Sequence, residues 1–476
     1  MTLADLEARV AHDLACLGHG SPDWTRPHAH PDGHVHDVVI VGGGQSGLAA
    51  AFGLLRERIS NILVIDENPA GHEGPWETYA RMITLRTPKH IGSIDFGIPS
   101  LTFRAYWEAQ HGAAGWEAID KIARQDWMAY LRWYRRVLRL PVRNDTALTL
   151  VEPLTPGLFR LHLADGAPLL ARKVVLATGI QGGGHWHVPA MISDRLPRHR
   201  YAHTSAAIDY AALAGRRIAI LGGGASAFDN AQHALALGVA EAHVFVRRKA
   251  LPTVNPIRFM EGAGLIPRFP SLGDGDKYAM MASFLDRNQP PTNDTFERAA
   301  AWPGFHLHLG APWLDVAETG DGVAVTTPQG TQSFDFLVLS TGLVTDPALR
   351  PELRLVADGI ARWTDRYAAP AAIASPAIDA HPYLGPGFQL LPRGDADAVT
   401  LHGLFAFNYS GLISLGLSAS ALSGLKHALP RLVTGIADQL FLDDREAMMA
   451  DYLAYAEPEF VGRWPRDTAG DMGTAA

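Results

Sequence analysis

Residues 36–58 read HDVVIVGGGQSGLAAAFGLLRER, and this stretch decides which class of fold the chain can adopt. Residues 38–41 form a β-branched apolar run, which predicts a strand buried on both faces. Glycines follow at once, and the alanines and leucines after them favour a helix. A strand, a glycine turn and a helix in this order predict one unit of a dinucleotide-binding fold.

The glycine spacing in this turn indicates what it can bind. Gly42 permits a tight turn, Gly44 lets the backbone approach a pyrophosphate, and Gly47 lets the helix pack closely on the strand. The amino end of the helix then faces the phosphates. The expected cofactor contacts of the turn are Gly42, Gly44, Gln45, Ser46 and Gly47.

Acidic residues end the strand that follows this helix. The segment ILVIDE, residues 62–67, places Asp66 and Glu67 where an adenosine ribose would lie. A carboxylate there accepts a hydrogen bond from a ribose 2′-hydroxyl and repels a 2′-phosphate. The phase of the strand favours Asp66 over Glu67 as the ribose contact. The first unit is therefore predicted to prefer an unphosphorylated adenosine ribose.

The same series recurs at residues 216–237, which read RRIAILGGGASAFDNAQHALAL. Gly222, Gly224 and Ala227 repeat the spacing, because alanine is small enough for the third, closely packed position. Ser226 lies within this second turn and is an expected cofactor contact. Each unit also ends in a strand closed by glycine, KVVLATG in the first and FLVLSTG in the second. The expected contacts at these two strand ends are Thr178, Gly179, Thr341 and Gly342.

Arginines replace the acidic residues in the second unit. The segment HVFVRRK, residues 243–249, places Arg247 and Arg248 at the end of the corresponding strand. Guanidinium groups at this edge can bind a 2′-phosphate in a bidentate manner, although a solvent-exposed basic strand end is the simpler alternative. Two sites with different ribose preferences predict FAD in the first unit and NADPH in the second, with hydride transfer between them.

The duplication predicts an α/β fold of two Rossmann-like dinucleotide-binding domains of the three-layer ββα type. We expect an N-terminal helix and polar arm at residues 1–35 and a discontinuous FAD domain at residues 36–180 and 340–465. An NADPH domain is expected at residues 181–339, and a disordered tail at residues 466–476. A small-residue helix is expected at residues 417–433, and the tryptophans between residues 71 and 140 are expected in the core.

Charge and hydropathy limit the class of partner. The net charge is −8 with no basic block, which argues against nucleic acids and anionic membranes. Glycines interrupt the apolar runs before they reach the length of a membrane span, and the N-terminus lacks the positive charge of a signal peptide. We therefore expect a cytoplasmic protein that acts on a small molecule, and the sequence is compatible with a homodimer.

The number of cysteines excludes redox and metal chemistry that depends on cysteine pairs or clusters. Cys16 is the only cysteine, so no internal disulfide, CxxC pair or cysteine-ligated metal can form, and a buried or half-buried thiol is expected. His28, His30, His34 and His36 crowd the segment before the first strand, but no cysteine or carboxylate pattern completes a site there. The sequence therefore predicts no metal.

These motifs together resemble those of the class B flavin-dependent monooxygenases, which include flavin-containing, N-hydroxylating and Baeyer–Villiger enzymes. The resemblance runs from about residue 38 to residue 433 and is carried by GGGQSG, GPW ending at Trp76, RTPK at residues 86–89, ATG, GGGASA and STG. RQDWMAYLRWY, residues 124–134, is similar to a stretch of the N-hydroxylating branch. The resemblance implies that NADPH reduces FAD, that O2 forms a flavin C4a-hydroperoxide, that NADP⁺ stays bound, and that Trp76 packs on the flavin.

Two positions depart from the patterns of that class. Of the Baeyer–Villiger fingerprint only the histidine is present, at His203, while Pro197, His199 and Ala207 stand where Phe, Gly and Trp belong. Arg86 stands where flavin-containing monooxygenases carry an asparagine that helps to hold the oxygenated flavin. The chain therefore matches the class better than any one subclass.

Arg86 and Asn408 are the candidate catalytic residues, and both are also expected to contact cofactor. Arg86 can bind a substrate carboxylate or an NADP⁺ phosphate, or it can form a structural ion pair. Asn408 can donate to the oxygenated flavin or to the nicotinamide amide, or it can cap a helix whose dipole favours reduced flavin.

The predicted function is NADPH- and O2-dependent transfer of one oxygen atom to a small molecule, at an amine nitrogen or a sulfur. An electrophilic oxygen requires a nucleophilic lone pair, and both atoms supply one. The alternatives are an atypical Baeyer–Villiger oxidation of a carbonyl or imine and a non-oxygenating, NADPH-dependent flavin reductase. A non-catalytic nucleotide sensor is a third alternative.

Overall fold

The fold is given by a computed structural model that describes residues 2–92, 94–460 and 462. Its strands are β1 (Ala29–His30), β2 (Gly33–Val41), β3 (Ile62–Ile65), β4 (Val142–Arg143), β5 (Leu148–Thr155), β6 (Leu158–Leu163), β7 (Leu169–Leu176), β8 (Gly184–Trp186), β9 (Tyr201–His203), β10 (Arg217–Leu221), β11 (Glu241–Val246), β12 (Phe305–Leu309), β13 (Asp315–Glu318), β14 (Val323–Thr327), β15 (Gly330–Phe334), β16 (Phe336–Leu339), β17 (Leu343–Thr345) and β18 (Leu404–Phe405).

The α-helices alternate with these strands in both halves of the fold. They are α1 (Leu3–Cys16), α2 (Gln45–Arg56), α3 (Phe103–Ala118), α4 (Arg124–Val137), α5 (Ala190–Ser193), α6 (Ala225–Ala236), α7 (Pro256–Gly262), α8 (Leu265–Arg268), α9 (Asp274–Arg287), α10 (Asn293–Ala300), α11 (Trp363–Arg366), α12 (Pro376–Asp379), α13 (Ala398–Leu401), α14 (Leu412–Leu415), α15 (Leu422–Asp443) and α16 (Arg445–Ala454).

The first sheet has eight strands and a parallel centre. Strand β2 lies between β3 and β7 and is parallel to both, with Val41 opposite Ile65 and Leu176. Residues 38–41 are buried, as their apolar run predicts. Strands β5 and β6 continue the sheet as an antiparallel meander. The carboxyl ends of β2, β3 and β7 therefore meet at one edge, where the first glycine turn begins.

The second sheet repeats this arrangement with five parallel strands in the order β12-β11-β10-β16-β9. A separate antiparallel sheet, β13–β15, covers one face. It packs on β11 through Trp313 and Phe334, whose rings lie 5.8 and 5.7 Å from that of Phe245. The prediction of two α/β dinucleotide-binding units is confirmed. The chain crosses between them twice, and the crossings pair as the antiparallel strands β8 and β17.

The N-terminal residues, for which a helix and a polar arm are expected at residues 1–35, contain helix α1, which packs on the core of the first unit. Leu6, Val10 and Leu14 of α1 are buried in the core that contains the first sheet. Strands β1 and β2 form an antiparallel hairpin, with His30 opposite Gly33, and β2 therefore starts at Gly33. The apolar face of α1 therefore determines where this segment lies. Cys16 at the end of α1 is exposed, so the expectation of a buried thiol is wrong.

The helical segment after the second glycine unit packs against the returning part of the FAD domain. Met260, Phe269 and Tyr278 share one buried cluster with Trp363 and Leu412. Part of the range predicted as the NADPH domain therefore shares a core with residues beyond 340. This arrangement joins the two units through apolar contact as well as through the two crossings.

The returning segment differs from its predicted form. Helix α15 begins at Leu422 and not at residue 417, because Gly416 adopts a positive φ of 72° and Ser418 donates to its carbonyl in a turn. The predicted tail, residues 466–476, lies outside the described residues. Among the helices that the structure describes, none is long and apolar enough to cross a membrane.

The aromatic residues between the first glycine turn and β4 form a core. Trp116, Trp127 and Trp133 are each 3% exposed. Trp116 and Trp127 contact Phe103, whose ring also stacks on that of Trp107 at 5.9 Å, and Trp133 packs on Tyr106 at 5.1 Å. The prediction that these tryptophans lie in the core is confirmed. The resulting cluster places α3 and α4 rigidly beside the first glycine turn.

Candidate active site

The first glycine turn has no room for side chains at its closest contacts. Gly42 has a positive φ of 107°, and a Cβ on it would lie 2.5 Å from the Ala177 carbonyl oxygen at the end of β7. A Cβ on Gly47 would lie 1.8 Å from the carbonyl oxygen of Gly42. Both distances are far below van der Waals contact, so packing requires glycine at both positions. The turn holds the start of α2 against the edge of the sheet.

The second turn repeats these contacts. Gly222 has a φ of 134°, and a Cβ on it would lie 2.3 Å from the Ser340 carbonyl oxygen. Ala227 takes the third position and is fully buried. Gly179 and Gly342, which close the two units, both have a φ of 76°. The two units therefore share their backbone geometry at the turn as well as their sequence pattern.

Strand register identifies which side chains correspond in the two units. Val41 pairs with Ile65 in the first unit, and Leu221 pairs with Phe245 in the second. The next residue along is Asp66 in one unit and Val246 in the other. The second unit therefore has an apolar residue where the first has its acid. This difference removes the charge that would repel a 2′-phosphate.

Asp66, rather than Glu67, is built into the first turn. Its carboxylate is buried and accepts hydrogen bonds from the backbone N–H of Gly43 at 2.7 Å and of Asn68 at 2.8 Å. Glu67 is exposed. The geometry therefore agrees with the strand phase that favours Asp66 as the ribose contact.

The two arginines after β11 have different surroundings. Arg248 donates to the carbonyl oxygens of Asp286 and Arg287, the last residues of α9, and so caps that helix. Arg247 is exposed, and among the described residues it has no hydrogen-bond or ion-pair partner. Arg247 is therefore the better placed of the two to bind a phosphate, while Arg248 supports the fold.

A cavity of about 540 Å³ opens beside Gly43. The buried Glu73 lines it and binds Arg135, at 2.7 Å, and Asn144, at 2.7 Å. Arginines of α4 form a second wall. Sequence reasoning missed Glu73, which lies only three residues before Trp76 in the GPW segment. Because the cavity lies beside Gly43 and Asp66, it is suitable for the adenosine part of a dinucleotide.

Gln45 and Trp76 lie between the glycine turn and α4. The side-chain oxygen of Gln45 accepts a hydrogen bond from Trp127 Nε1 at 3.1 Å. Trp76 is 8% exposed, and its carbonyl oxygen accepts a hydrogen bond from Arg124. Ser46 is also buried in the first turn of α2. These contacts tie the predicted flavin-side residues to the aromatic core.

Arg86 forms an ion pair, one of the roles considered for it. Its guanidinium donates to the carboxylate of Asp229 on α6, in the second unit. Burial raises the pKa of Asp229, and the charge of Arg86 opposes that rise. Arg86 therefore connects the RTPK segment with the helix that carries the second glycine turn.

Asn408 uses its hydrogen-bonding groups within the protein. Its side-chain oxygen accepts from the N–H of Ser410, and its Nδ2 donates to the Leu176 carbonyl oxygen at 3.1 Å and to Thr178 Oγ1 at 3.2 Å. It caps a short 3₁₀ turn, residues 409–411, which continues only into α14 and ends at Gly416. The expectation of a long helix dipole at this point is wrong, because the helical segment is too short.

A crevice of about 630 Å³ lies beside the crossing between the two units and is lined by Trp186, Tyr201 and His203. Tyr79 packs edge-on against Trp186 at 6.0 Å, and Trp186 stacks on His203 at 4.9 Å. Tyr79 also donates to Gln181 at 3.4 Å. Burial raises the pKa of Tyr79 to about 12 and lowers that of His203 to about 4, so both side chains are neutral at pH 7. Thr341, on the second crossing, donates to the carbonyl oxygen of His187.

Arg81 provides a positive charge where the segment that carries Tyr79 approaches Tyr210 of the second unit. Its guanidinium donates to the Thr78 carbonyl oxygen, and among the described residues no carboxylate lies within ion-pair distance of it. Burial lowers its pKa, while Tyr210 of the second unit partly opposes this effect and Arg124 adds to it. Sequence reasoning missed Arg81 because nothing near it in the chain indicates that it lies close to Tyr210 of the second unit.

Buried polar atoms without partners mark the places that bound cofactors and substrate would contact. Three of them lie on residues 76–86 and have no hydrogen-bond partner within the described chain: Trp76 Nε1, Arg81 Nε and Arg86 Nε. Such groups are costly unless a ligand or solvent satisfies them. Together with the two side-chain-free glycine turns, they fit a pair of dinucleotides whose reactive ends meet in the crevice.

Comparison with known proteins agrees with this geometry. An FAD-dependent urate hydroxylase from Xanthomonas campestris pv. campestris is 68% identical over 469 residues, which cover 98% of this chain and 99% of that protein. The sequence models of an FAD-NAD(P)-binding family and of the L-lysine 6-monooxygenase/L-ornithine 5-monooxygenase family match residues 39–181 and 116–262. The chain belongs to the class B flavin-dependent monooxygenases. This class B monooxygenase is thus an FAD-dependent oxidoreductase with NADP(H) as its second cofactor, as predicted.

Solved structures share the fold of this class B monooxygenase. An ornithine hydroxylase from Pseudomonas aeruginosa superposes with a TM-score of 0.64 at 19% identity, covering 85% of this chain and 100% of that one. A Kutzneria sp. 744 ornithine N-hydroxylase with reduced FAD, NADP⁺ and L-ornithine gives a TM-score of 0.65 at 16% identity, covering 85% and 99%. At these identities the likeness is one of fold.

Proposed function

We propose that this protein is an FAD-dependent urate hydroxylase. In the overall reaction, urate, NADPH, O2 and a proton give hydroxylated urate, NADP⁺ and water. The observation that carries the proposal is the 68% identity to a urate hydroxylase across nearly the full length of both chains. The proposal replaces the amine or sulfur substrate expected from sequence, because an electron-rich ring carbon is also a nucleophile.

The charge of Arg81 supports an anionic substrate. Urate is a flat heterocycle that is ionised at neutral pH. Arg81 offers a guanidinium without a carboxylate partner among the described residues, and its Nε is buried and unpaired. A planar guanidinium matches the adjacent N–H, carbonyl and anionic groups of a purine ring better than a point charge does. Arg81 is therefore the residue that we assign to urate binding.

The aromatic side chains of the crevice support a planar substrate. Tyr79 packs edge-on against Trp186 at the crossing between the units, with their ring centroids 6.0 Å apart. Both are largely apolar surfaces that exclude water. Reduced FAD, when bound and exposed to O2, supplies the electrophilic oxygen atom. The protein positions the substrate and limits water access, so that the oxygen is transferred instead of being lost as hydrogen peroxide.

Amine N-hydroxylation is the second candidate function. The match of the lysine/ornithine monooxygenase model to residues 116–262 favours it. An amino-acid substrate carries an ammonium group that requires an acidic contact. The carboxylates closest to the crevice are already paired, since Asp229 binds Arg86 and Glu77 lies within 3.8 Å of Arg124 and 3.3 Å of Arg132. These pairs favour the anionic substrate over the cationic one.

Substrate-dependent NADPH oxidation tests the proposal. Purified, FAD-loaded protein is given urate, L-ornithine or L-lysine, and product, NADPH and hydrogen peroxide are measured together. We expect urate to be consumed nearly one for one with NADPH, and the two amino acids to give only uncoupled oxidation. Coupled hydroxylation of an amino acid without urate consumption would overturn the proposal.

An arginine variant tests the assigned contact. Loss of one charge-assisted contact, worth about 1.5–3 kcal/mol, should raise the KM for urate about tenfold or more in Arg81→Gln, with an unchanged KM for NADPH. Arg216→Gln is the matched control, because Arg216 is exposed and paired only with Asp335. Equal effects of the two variants would remove Arg81 from the site.

A further inference from the structure

A cluster of histidines lies in the second sheet, apart from the crevice. His243 on β11 pairs in register with His306 on β12, and Phe245 pairs with His308. Alternate residues of a strand face the same side, so His243, His306 and His308 share one face of the sheet with Glu241. This is the face on which β13–β15 packs, since the ring of Phe334 lies 5.1 Å from that of His243.

The side chains of this cluster converge on one point. One ligand atom each from Glu241, His243 and His306 lies within 4.8 Å of the other two. His243 Nε2 is 2.9 Å from the Glu241 carboxylate, and its Nδ1 is 2.9 Å from His308 Nε2. Zn²⁺ holds nitrogen and oxygen ligands at about 2.0–2.2 Å, so small side-chain rotations would bring these atoms into a coordination sphere.

We propose that Glu241, His243 and His306 form a binding site for a divalent transition-metal ion of the Zn²⁺ class. Two imidazoles and one carboxylate are a donor set that zinc commonly accepts, with water in the remaining position. His308 then acts as the outer partner that orients His243 through its second ring nitrogen. The bound ion ties β11 to β12 and stabilises the sheet that carries Arg247.

Arg217 competes with a metal at this site. Its Nε lies 2.6 Å from the Glu241 carboxylate, and a guanidinium there repels a divalent cation. The same contacts also form a complete hydrogen-bonded chain without a metal, from Arg217 through Glu241 and His243 to His308. A metal site and a metal-free hydrogen-bonded chain predict different effects of replacing Arg217 on metal affinity. Under the metal-site proposal, Arg217→Gln strengthens metal binding.

Calorimetric titration with Zn²⁺ distinguishes these accounts. FAD-loaded protein freed of metal with a chelator is titrated in a non-coordinating buffer. We expect one high-affinity Zn²⁺ per chain, with affinity weakened at least about tenfold by His306→Gln and strengthened about tenfold by Arg217→Gln. His162→Gln is the matched control, since His162 also contacts a glutamate, Glu152 at 2.8 Å, on the other sheet.

A spectroscopic measurement on the unaltered protein covers the case in which a variant fails to fold. Co²⁺ bound to two imidazoles and a carboxylate gives visible absorption bands of a four- or five-coordinate ion, and excess Zn²⁺ should abolish them. Any one of three results would overturn the proposal. They are a Co²⁺ spectrum identical to that of the hydrated ion, the absence of stoichiometric Zn²⁺ binding, and an equal loss of Zn²⁺ affinity in His162→Gln and His306→Gln.

Discussion

The guanidinium of Arg86 donates to the carboxylate of Asp229, which joins the segment after the first glycine unit to the helix that opens the second. Asp229 is 7% exposed, so its charge depends on this partner. The pair lies one helical turn from the second glycine turn, where the pyrophosphate of NADP(H) is expected. It therefore couples the position of one cofactor site to that of the other.

Removal of Arg86 should affect both stability and coupling. Arg86→Ala leaves a buried carboxylate unpaired, so we expect a loss of about 1–3 kcal/mol in the free energy of unfolding and a lower yield of product per NADPH. Arg86→Ala combined with Asp229→Asn should lose less than the sum of the two single variants. Additive losses in this double-mutant cycle, measured by denaturant unfolding, would mean that the pair contributes no interaction energy.

Gly44 and Gly47 should respond differently to a side chain. A Cβ on Gly44 lies 3.7 Å from its nearest atom, so Gly44→Val should fold but block the approach of the pyrophosphate and purify without flavin. A Cβ on Gly47 would lie 1.8 Å from a carbonyl oxygen, so Gly47→Val should fail to fold. Flavin absorbance and circular dichroism measure the two effects. A yellow Gly44→Val protein would place FAD elsewhere.

Val246 should control the choice of coenzyme. Val246→Asp restores the acid that Asp66 provides in the first unit, and the Gly223 N–H stands where Gly43 donates to Asp66. We expect the KM for NADPH to rise about tenfold or more while the KM for NADH changes little. Arg247→Ala should act in the same direction, and Arg248→Ala should mainly lower the melting temperature. Equal effects on both coenzymes would contradict the assignment.

Asp443 should make stability depend on acidic pH. Burial raises the pKa of its carboxyl, but the hydrogen bond from His402 and the charge of the fully buried Lys173 outweigh that effect and lower it to about 2. Since the folded-state pKa is below the unfolded value of about 3.9, the stabilisation is complete above about pH 4 and is lost as the pH falls towards 2. Because solvent screens the exposed part of this carboxyl, Asp443→Asn should cost about 1 kcal/mol at pH 7, and this difference should shrink below pH 4. A difference independent of pH would contradict this account.

Local sequence predicted the parts of the fold that depend on neighbours in the chain. Gly42 and Gly222 sit between a strand and a helix because that order of residues permits few other structures. Strand phase alone favoured Asp66 over Glu67, and the structure buries Asp66 beside Gly43. The amphipathic pattern of α1 is local, but its packing position depends on apolar contacts with distant residues, which no local pattern specifies.

Contacts between distant segments could not be predicted in this way. Arg86 and Asp229 are 143 residues apart, and nothing near either one indicates the other. For Asn408 the sequence left open a direct role at the flavin and a role as a cap, and only the structure shows its contacts with Thr178 and Ser410. The His243–His306 pair was also missed, although the alternating histidines His306 and His308 in β12 are visible in the sequence.

The central claim is that this enzyme transfers one atom of O2 to urate. The direct measurement supplies FAD-loaded protein with NADPH, urate and isotopically labelled dioxygen, and follows the product by mass spectrometry. We expect one labelled oxygen atom in each hydroxylated urate, the second in water, and about one product per NADPH. Two results would contradict this proposal. In the first, urate stays intact while NADPH is oxidised and labelled hydrogen peroxide forms. In the second, the oxygen added to urate is unlabelled.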